Sequence, residues 1–404
     1  AAGGEASSGS RFIEGAFGKG LSLYSEKPMS DAKRRKEIFK TEIELIWKWH
    51  TDAHSPTGEY LWPPDYFHPL NPRVDKIAKE AHANNYKFIA YCIYPAIHYP
   101  SPLADQFRAE WQVEPVNMLP YAPPAGHNML TTSMAAKGWA DYLIAGLEDA
   151  FKMYGFNGIY TDGGVAVHAS TNAFHGAGWT DAKGNRRPSW PFFAARDNFK
   201  RIYKFVKKDN KDNVVVNHIS FTLPMMTTSF SDLIYTGEHE NYYDMNTARL
   251  RFNSAPWGPQ VVLLGASDHM FSALHQMTGL LVGTSNWPHS ITGRRDNARK
   301  QLRIQQAYEA FDTVNAEFIP FYDMEEKLDI TLPDKIYACC YRQGEKWLML
   351  VANYTKEVKQ VEIKLPSTVK VAHSALTQAP IPHSSSVITP SVLPENFQLI
   401  EIKF

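Results

Sequence analysis

Asp162 ends the short run GIYTD, and Glu238 ends a second run, DLIYTGE, that repeats the same IYT spelling. Two carboxylates facing each other are what cleavage of a glycosidic bond requires. One protonates the departing oxygen, and the other stays ionised to attack or stabilise the sugar cation. Their separation would set the outcome, with about 5 to 5.5 Å giving retention of configuration and about 6.5 to 9.5 Å giving inversion. Glu240 stands two residues beyond Glu238 as a reserve acid. Each acid also has an ordinary reading: Asp before Gly punctuates turns and caps helices, and Glu238 and Glu240 both fit a surface loop, Glu240 the more readily. Asp162, however, is followed by no prompt helix. A long His- and Trp-containing stretch, VAVHASTNAFHGAGW, comes next, as expected of a loop that serves a site.

The elements that must position these acids alternate short apolar runs with segments of helical period. The runs lie within FIEGAFGKGLSLY (12–24), then at IELIWKW (43–49), KFIAYCIY (87–94), GIYTD (158–162), NVVVNH (213–218), DLIYTGE (232–238), QVVLLG (260–265) and GLLVGTS (279–285). Helices are predicted over 72–85, where Val74, Ile77, Ala78 and Ala81 share one face, and over 133–154, 195–210 and 297–318. Eight such β-then-α units predict an α/β fold, a (β/α)8 TIM barrel spanning 11–321. An open doubly wound sheet is the alternative. It lacks support because no Gly-rich phosphate fingerprint stands at a strand-to-helix turn. After residue 321 the texture changes to alternating strands such as KIYACCYR and KWLMLVANY, predicting a C-terminal antiparallel β-sandwich over 322–404.

In such a barrel, active-site residues gather at the C-terminal ends of the strands. That rule selects His50 and Asp52 after the second strand, Tyr94 and His98 after the third, and Asp162 after the fourth. Asn217 and His218 follow the fifth, Glu238 and Glu240 the sixth, Asp268 the seventh, and Trp287 the eighth. Tyr160, Asn217 and His218 are expected to orient hydroxyls. Trp49, Trp62, Tyr66, Tyr94, Trp179 and Trp287 are candidates for walls that stack on sugar rings, with core packing the other ordinary fate of an aromatic. HTDAH at 50–54 has a loose metal-ligand spacing, but no HxH pair stands on an early strand and no Ser lies in GxSxG.

Lys plus Arg and Asp plus Glu both total 42, so no net field favours a nucleic-acid partner. The short KRRK at 33–36 reads as the solvated face of a helix. Cys92, Cys339 and Cys340 form neither a disulfide framework nor a zinc spacing. No run is long and apolar enough for a membrane span, and residues 1–10, AAGGEASSGS, read as a flexible leader left by processing or trimming. No cofactor and no metal are expected.

GFNGIYTDGG with its preceding helix, together with VVVNHIS and IYTGEHE, resembles the catalytic barrel of bacterial glycoside hydrolases. The likeness is to the groups related to α-galactosidases and endo-α-N-acetylgalactosaminidases. That resemblance implies an Asp nucleophile ending the fourth strand, here Asp162, and a general acid from a later strand, here Glu238. It also implies a carbohydrate substrate, and a bacterial secreted, periplasmic or cell-surface setting accompanies it. The segment WLMLVANYTKEVKQVEIKL is similar to the β-sandwich that follows such barrels. Three departures stand out: the seventh strand ends LLGASDH with no Glu, unlike the retaining β-glycosidases whose nucleophile sits there; the fifth ends in Asn217 and His218, unlike the α-amylases with their Glu; and the acid is Glu where α-galactosidases usually have Asp. A barrel that binds glycans without cleaving them, and a metal-dependent hydrolase or deacetylase, are the rival readings.

Overall fold

The computed structural model describes residues 21–24, 43–46, 49, 70–93, 96–99, 102–116, 118–120, 128–162, 167–219, 225–236, 245–252, 259–265, 273–283, 285–288 and 295–404. Two compact units emerge, one formed by Leu21–Ile219 with Leu223–Tyr235 and the other built on Thr236–Phe404.

The first unit is α/β. Its strands β1 (Leu21–Tyr24), β2 (Ile43–Ile46), β3 (Lys87–Ile93), β7 (Gly158–Asp162), β10 (Val214–His218) and β11 (Leu233–Thr236) pair side by side in that order, all parallel. Strands buried on both faces need continuous apolar runs. VVVNH in β10 is buried throughout, and Phe88, Ile89, Ala90 and Ile159 are fully enclosed. Burial of a Phe or Ile side chain contributes roughly 1.5 to 3 kcal/mol.

Helix α1 (Pro72–Ala83) starts where the sequence places it. The Asn71 side chain accepts from Arg73 N at 3.0 Å, Pro72 occupies the first turn, and Val74, Ile77, Ala78 and Ala81 face inward. A hydrogen bond of 2.9 Å from Asn71 N to the Tyr154 hydroxyl ties the start of α1 to the end of α3 (Lys137–Tyr154). Helix α3 begins four residues later than its predicted start at 133, because residues 133–136 form a turn, and Gly155 in the left-handed region (φ +66°) closes it. Helix α4 (Phe192–Lys207) precedes β10.

The Pro-rich stretch between β3 and α3 contains helix α2 (Pro102–Trp111). It also carries a small antiparallel sheet in which β6 (Asn128–Thr131) lies between β4 (Ala96–Tyr99) and β5 (Met118–Pro120). The stretch between β7 and α4 carries a two-stranded ribbon, β8 (Trp179–Thr180) with β9 (Arg186–Arg187).

Two contacts set the phase of the central strands. Asn157 exchanges bonds with Phe88, accepting from its N at Oδ1 (3.1 Å) and donating to its carbonyl (2.7 Å), while Val214 N donates to the Asn157 carbonyl at 2.8 Å. One residue ahead of β7 thereby stitches β3 to β10. At Gly158, a Cβ would lie 2.2 Å from the Val214 carbonyl oxygen, so only glycine permits this approach of β7 to β10. Near the starts of β10 and β11, Lys207 meets the Asp232 carboxylate at 2.9 Å, and Asp232 also accepts from Val215 N at 2.8 Å. Burial pushes the Asp232 carboxyl above its ordinary range in spite of that cation.

In the second unit, β12 (Gln260–Gly265) and β13 (Ser285–Pro288) pair in parallel. Here one expectation is corrected: the run GLLVGTS at 279–285 is not a strand over its length. Its first three residues end helix α5 (Ala273–Leu281), whose Met277, Leu280 and Leu281 are buried, and the strand begins only at Ser285. A short apolar run bounded by glycine fits a buried helix end as well as a strand. A second correction concerns the helix predicted over 297–318. It runs as α6 (Arg295–Phe311) and stops before Asp312, which takes φ +60°; the chain then enters β14 (Glu317–Ile319).

Strand β14 opens an antiparallel sheet with β15 (Ile336–Gln343) and β16 (Lys346–Asn353), continued by Asn396–Lys403 and Val371–Ser374. Gly344 (φ +55°) makes the turn between β15 and β16. Ile319, Ile336, Trp347, Met349, Val351 and Ile400 are among its packed core residues.

Candidate active site

Asp162 is the last residue of β7, at the C-terminal end of a strand flanked on both sides by parallel neighbours. Successive side chains on a strand point to opposite faces, so Tyr160 and Asp162 share one face and Ile159 and Thr161 the other. Register extends that division to the neighbouring strands. Tyr91 lies beside Tyr160, Val216 lies on its other flank, and His218 is level with Tyr235 on β11.

On the first face, both carboxylate oxygens of Asp162 are engaged. The Tyr91 hydroxyl donates to Oδ2, and His218 Nδ1 lies 2.7 Å from Oδ1. An ionised carboxylate accepts both contacts at once when the His218 proton sits on Nδ1. The His218 side chain is 5% exposed and that of Asp162 is 33% exposed, so the acid alone of this pair reaches solvent appreciably. Beneath it lies an aromatic floor. The Tyr160 ring stacks on Tyr91 at 5.6 Å and 18°, with His218 at 5.8 Å and Tyr235 edge-on at 6.0 Å. Burial pushes the Tyr235 hydroxyl well up, so it stays neutral. Trp49, buried, donates from Nε1 to the Tyr91 carbonyl at 2.7 Å and packs on Phe156.

The opposite face holds a bracing chain. Thr161 Oγ1 donates to Asn217 Oδ1, and Asn217 Nδ2 donates to Ser231 Oγ at 2.5 Å, all three residues being buried. Asn217 therefore points away from Asp162 and holds β7, β10 and the segment ahead of β11 together.

The structure thus brings Asp162, Tyr160 and His218 together and separates Asn217 from them. It corrects the reading of Asn217 as a residue that orients hydroxyls, since its amide is buried on the far face. It likewise corrects Trp49 as a stacking wall, because that ring is enclosed. His218 faces the acid and is nearly fully buried. His98 lies on β4, with Met129 as its register partner, and Trp287 on β13 beside Leu264. Trp179 on β8 is exposed. His50, Asp52, Trp62, Tyr66, Tyr94, Glu238, Glu240 and Asp268 lie outside the described residues. Among the described residues, no group of three or more His, Cys, Asp or Glu side chains is arranged to hold a metal ion. The three cysteines are buried, and burial pushes each thiol up.

Tyr91 is the residue that sequence reasoning missed. Its signal was a hydroxyl-bearing side chain on the Ile89–Tyr91–Ile93 face of an apolar strand, but its partner depends on the register of β3 against β7.

No protein-family model matches the chain, and no match is found among the curated proteins. Solved structures share its fold. It is similar to a noncanonic maltogenic α-amylase from Thermotoga neapolitana, with a TM-score of 0.61 and 10% identity over 96% of this chain and 99% of that one. A GH27 β-L-arabinopyranosidase from Geobacillus stearothermophilus matches with a TM-score of 0.60 and 10% identity over 98% of each chain. The galactosidase domain of an α-galactosidase-sucrose kinase matches with a TM-score of 0.59 and 12% identity, over 95% of this chain and 54% of that one.

Proposed function

We propose that the chain is a glycoside hydrolase of the EC 3.2.1 class, with Asp162 as the carboxylate that attacks or stabilises the anomeric carbon. The observation that carries this reading is the carboxylate itself. It sits at the C-terminal end of a central parallel strand, partly open to solvent, with each oxygen held by a donor from a neighbouring strand. An acid fixed in this way presents a preorganised negative charge where the sugar cation develops, with no reorganisation needed at the moment of reaction.

In the proposed reaction Glu238, with Glu240 in reserve, gives its proton to the departing oxygen as the glycosidic C–O bond breaks. Asp162 forms the ester to the anomeric carbon, and water, losing its proton to the same acid, releases the sugar with configuration retained. The parallel strands would close into a (β/α)8 barrel over 11–321, with a β-sandwich at 322–404. The protein would work outside the cytoplasm, as a secreted, periplasmic or cell-surface enzyme. The fold likeness to amylases and to a GH27 arabinopyranosidase supports a carbohydrate substrate.

Turnover of a panel of aryl α- and β-glycosides tests this. Asp162→Ala should lower kcat/KM by more than about a thousandfold, and added azide should restore turnover by forming a glycosyl azide. Tyr91→Phe keeps the stack on Tyr160 but removes a hydrogen bond to a charged group, worth about 1.5 to 3 kcal/mol and hence roughly 10- to 150-fold in kcat/KM. Full activity in Asp162→Ala would remove that residue from its role.

A further inference from the structure

The stretch joining Asp162 to helix α4, with the first turn of that helix, holds five exposed aromatic residues: Phe174, Trp179, Trp190, Phe192 and Phe193. Trp190 is 58% exposed and Phe193 77%. Rings left in water side by side, as at Trp190 and Phe192 with Phe193 following, mark a surface with a partner.

These rings are not loose. The backbones of Ser170 and Ser189 bond each other in both directions at 3.0 Å, and Gly178 N donates to Ser189 Oγ at 2.7 Å. Asn172 caps the turn that carries Phe174, bonding Phe174 N at 2.9 Å and the Ala109 and Gln112 carbonyls at 2.9 Å each. The exposure belongs to a braced frame. Trp190 and Phe192 lie nearly parallel, with centroids 6.0 Å apart and planes at 14°.

We infer that this aromatic surface is a second glycan-binding site, distinct from the Asp162 centre, which grips a further part of a carbohydrate chain. The chemistry points to sugar rather than to an apolar protein face. Among the described residues of this stretch the large exposed apolar groups are flat rings and no aliphatics, the arrangement that stacks on the C–H faces of pyranose rings. Arg187, the register partner of Trp179, is exposed and held by Asp181 Oδ2 at 2.9 Å, and its guanidinium offers donors to hydroxyl groups beside the rings. The stretch runs from the C-terminal end of β7 to the N-terminus of α4, so the surface is attached at the same strand end as Asp162.

The inference rests on the proposed hydrolase only for its choice of ligand, and the test keeps the two apart. The full chain carrying Asp162→Asn, which spares the polymer, would be run by affinity electrophoresis through gels containing soluble starch, galactomannan or arabinogalactan. Retardation by at least one polymer is expected. Trp190→Ala with Phe193→Ala should weaken it about fivefold or more, while Trp190→Phe retains it. In the parent background the double substitution should leave aryl-glycoside turnover unchanged. Absence of retardation by all three polymers overturns the site, as does undiminished retardation in the double variant. So does a concentration-dependent self-association by light scattering that the double variant abolishes, since the face would then pair copies of the chain. Retardation lost in the double variant, with no turnover of any aryl glycoside by the parent, would keep this site and remove the hydrolase reading.

Discussion

Gly158→Ala tests whether the approach of β7 to β10 positions Asp162. A methyl there would sit 2.2 Å from the Val214 carbonyl oxygen and 3.0 Å from Ile89 Cγ2. Ordinary contact between such atoms is over about 3 Å, so β7 must withdraw from β10 by about 1 Å, enough to break a ladder hydrogen bond of normal length. Forcing a methyl into a packed site costs about 1 to 3 kcal/mol, and one or two weakened backbone bonds add about 1 kcal/mol each. The sum, roughly 2 to 5 kcal/mol, is a large part of the stability of an ordinary domain.

Gly176→Ala is the control. Gly176 takes φ +72° with nothing within 4 Å of the place a methyl would occupy, so it should lose only the left-handed penalty. That penalty is about 1 to 2 kcal/mol. Urea unfolding followed by tryptophan fluorescence should show a much larger drop in midpoint for Gly158→Ala at similar slope. Because His218 Nδ1 lies 2.7 Å from Asp162 across the same pair of strands, activity should fall with it. A Gly158→Ala protein within about 1 kcal/mol of the parent would refute the steric reasoning.

Asn217→Ala should destabilise by about 1 to 3 kcal/mol, since it strands the Thr161 and Ser231 hydroxyls in a buried layer, yet leave KM for a small glycoside nearly unchanged. A rise in KM without loss of stability, measured by unfolding alongside kinetics, would restore Asn217 as a sugar ligand. Burial lowers the pKa of both His168 and His175 below the ordinary histidine value. Folding therefore favours their neutral forms, and the stability they contribute is present above about pH 6.5 and lost as pH falls through their folded values. Thermal melts between about pH 7.5 and 5 should show that decline, and His175→Gln should flatten it; an unchanged slope would sink the assignment.

Much of the fold was legible because its signals are local. The inward face of α1 and the apolar runs of β3, β7 and β10 are periodicities within one segment. The end of α5 was misread because GLLVG has no period long enough to separate helix from strand. The site was legible in part for the same reason. Asp162 shows itself by ending a strand, and IYTD alternation places Tyr160 with it. Tyr91 as its donor and Asn217 as a brace follow from register between strands, which no single run encodes. Trp49 misled because an indole beside a strand end looks alike whether its N–H faces a sugar or, as here, the carbonyl of Tyr91.

The parity of β7 makes its length unusually consequential. With Thr161 serving the buried brace and Asp162 the open side, losing or gaining one residue between Gly158 and Asp162 would exchange their tasks: the acid would turn into the protein interior and the hydroxyl outward. The candidate acid and the scaffold are thus bound to the same odd-and-even rhythm.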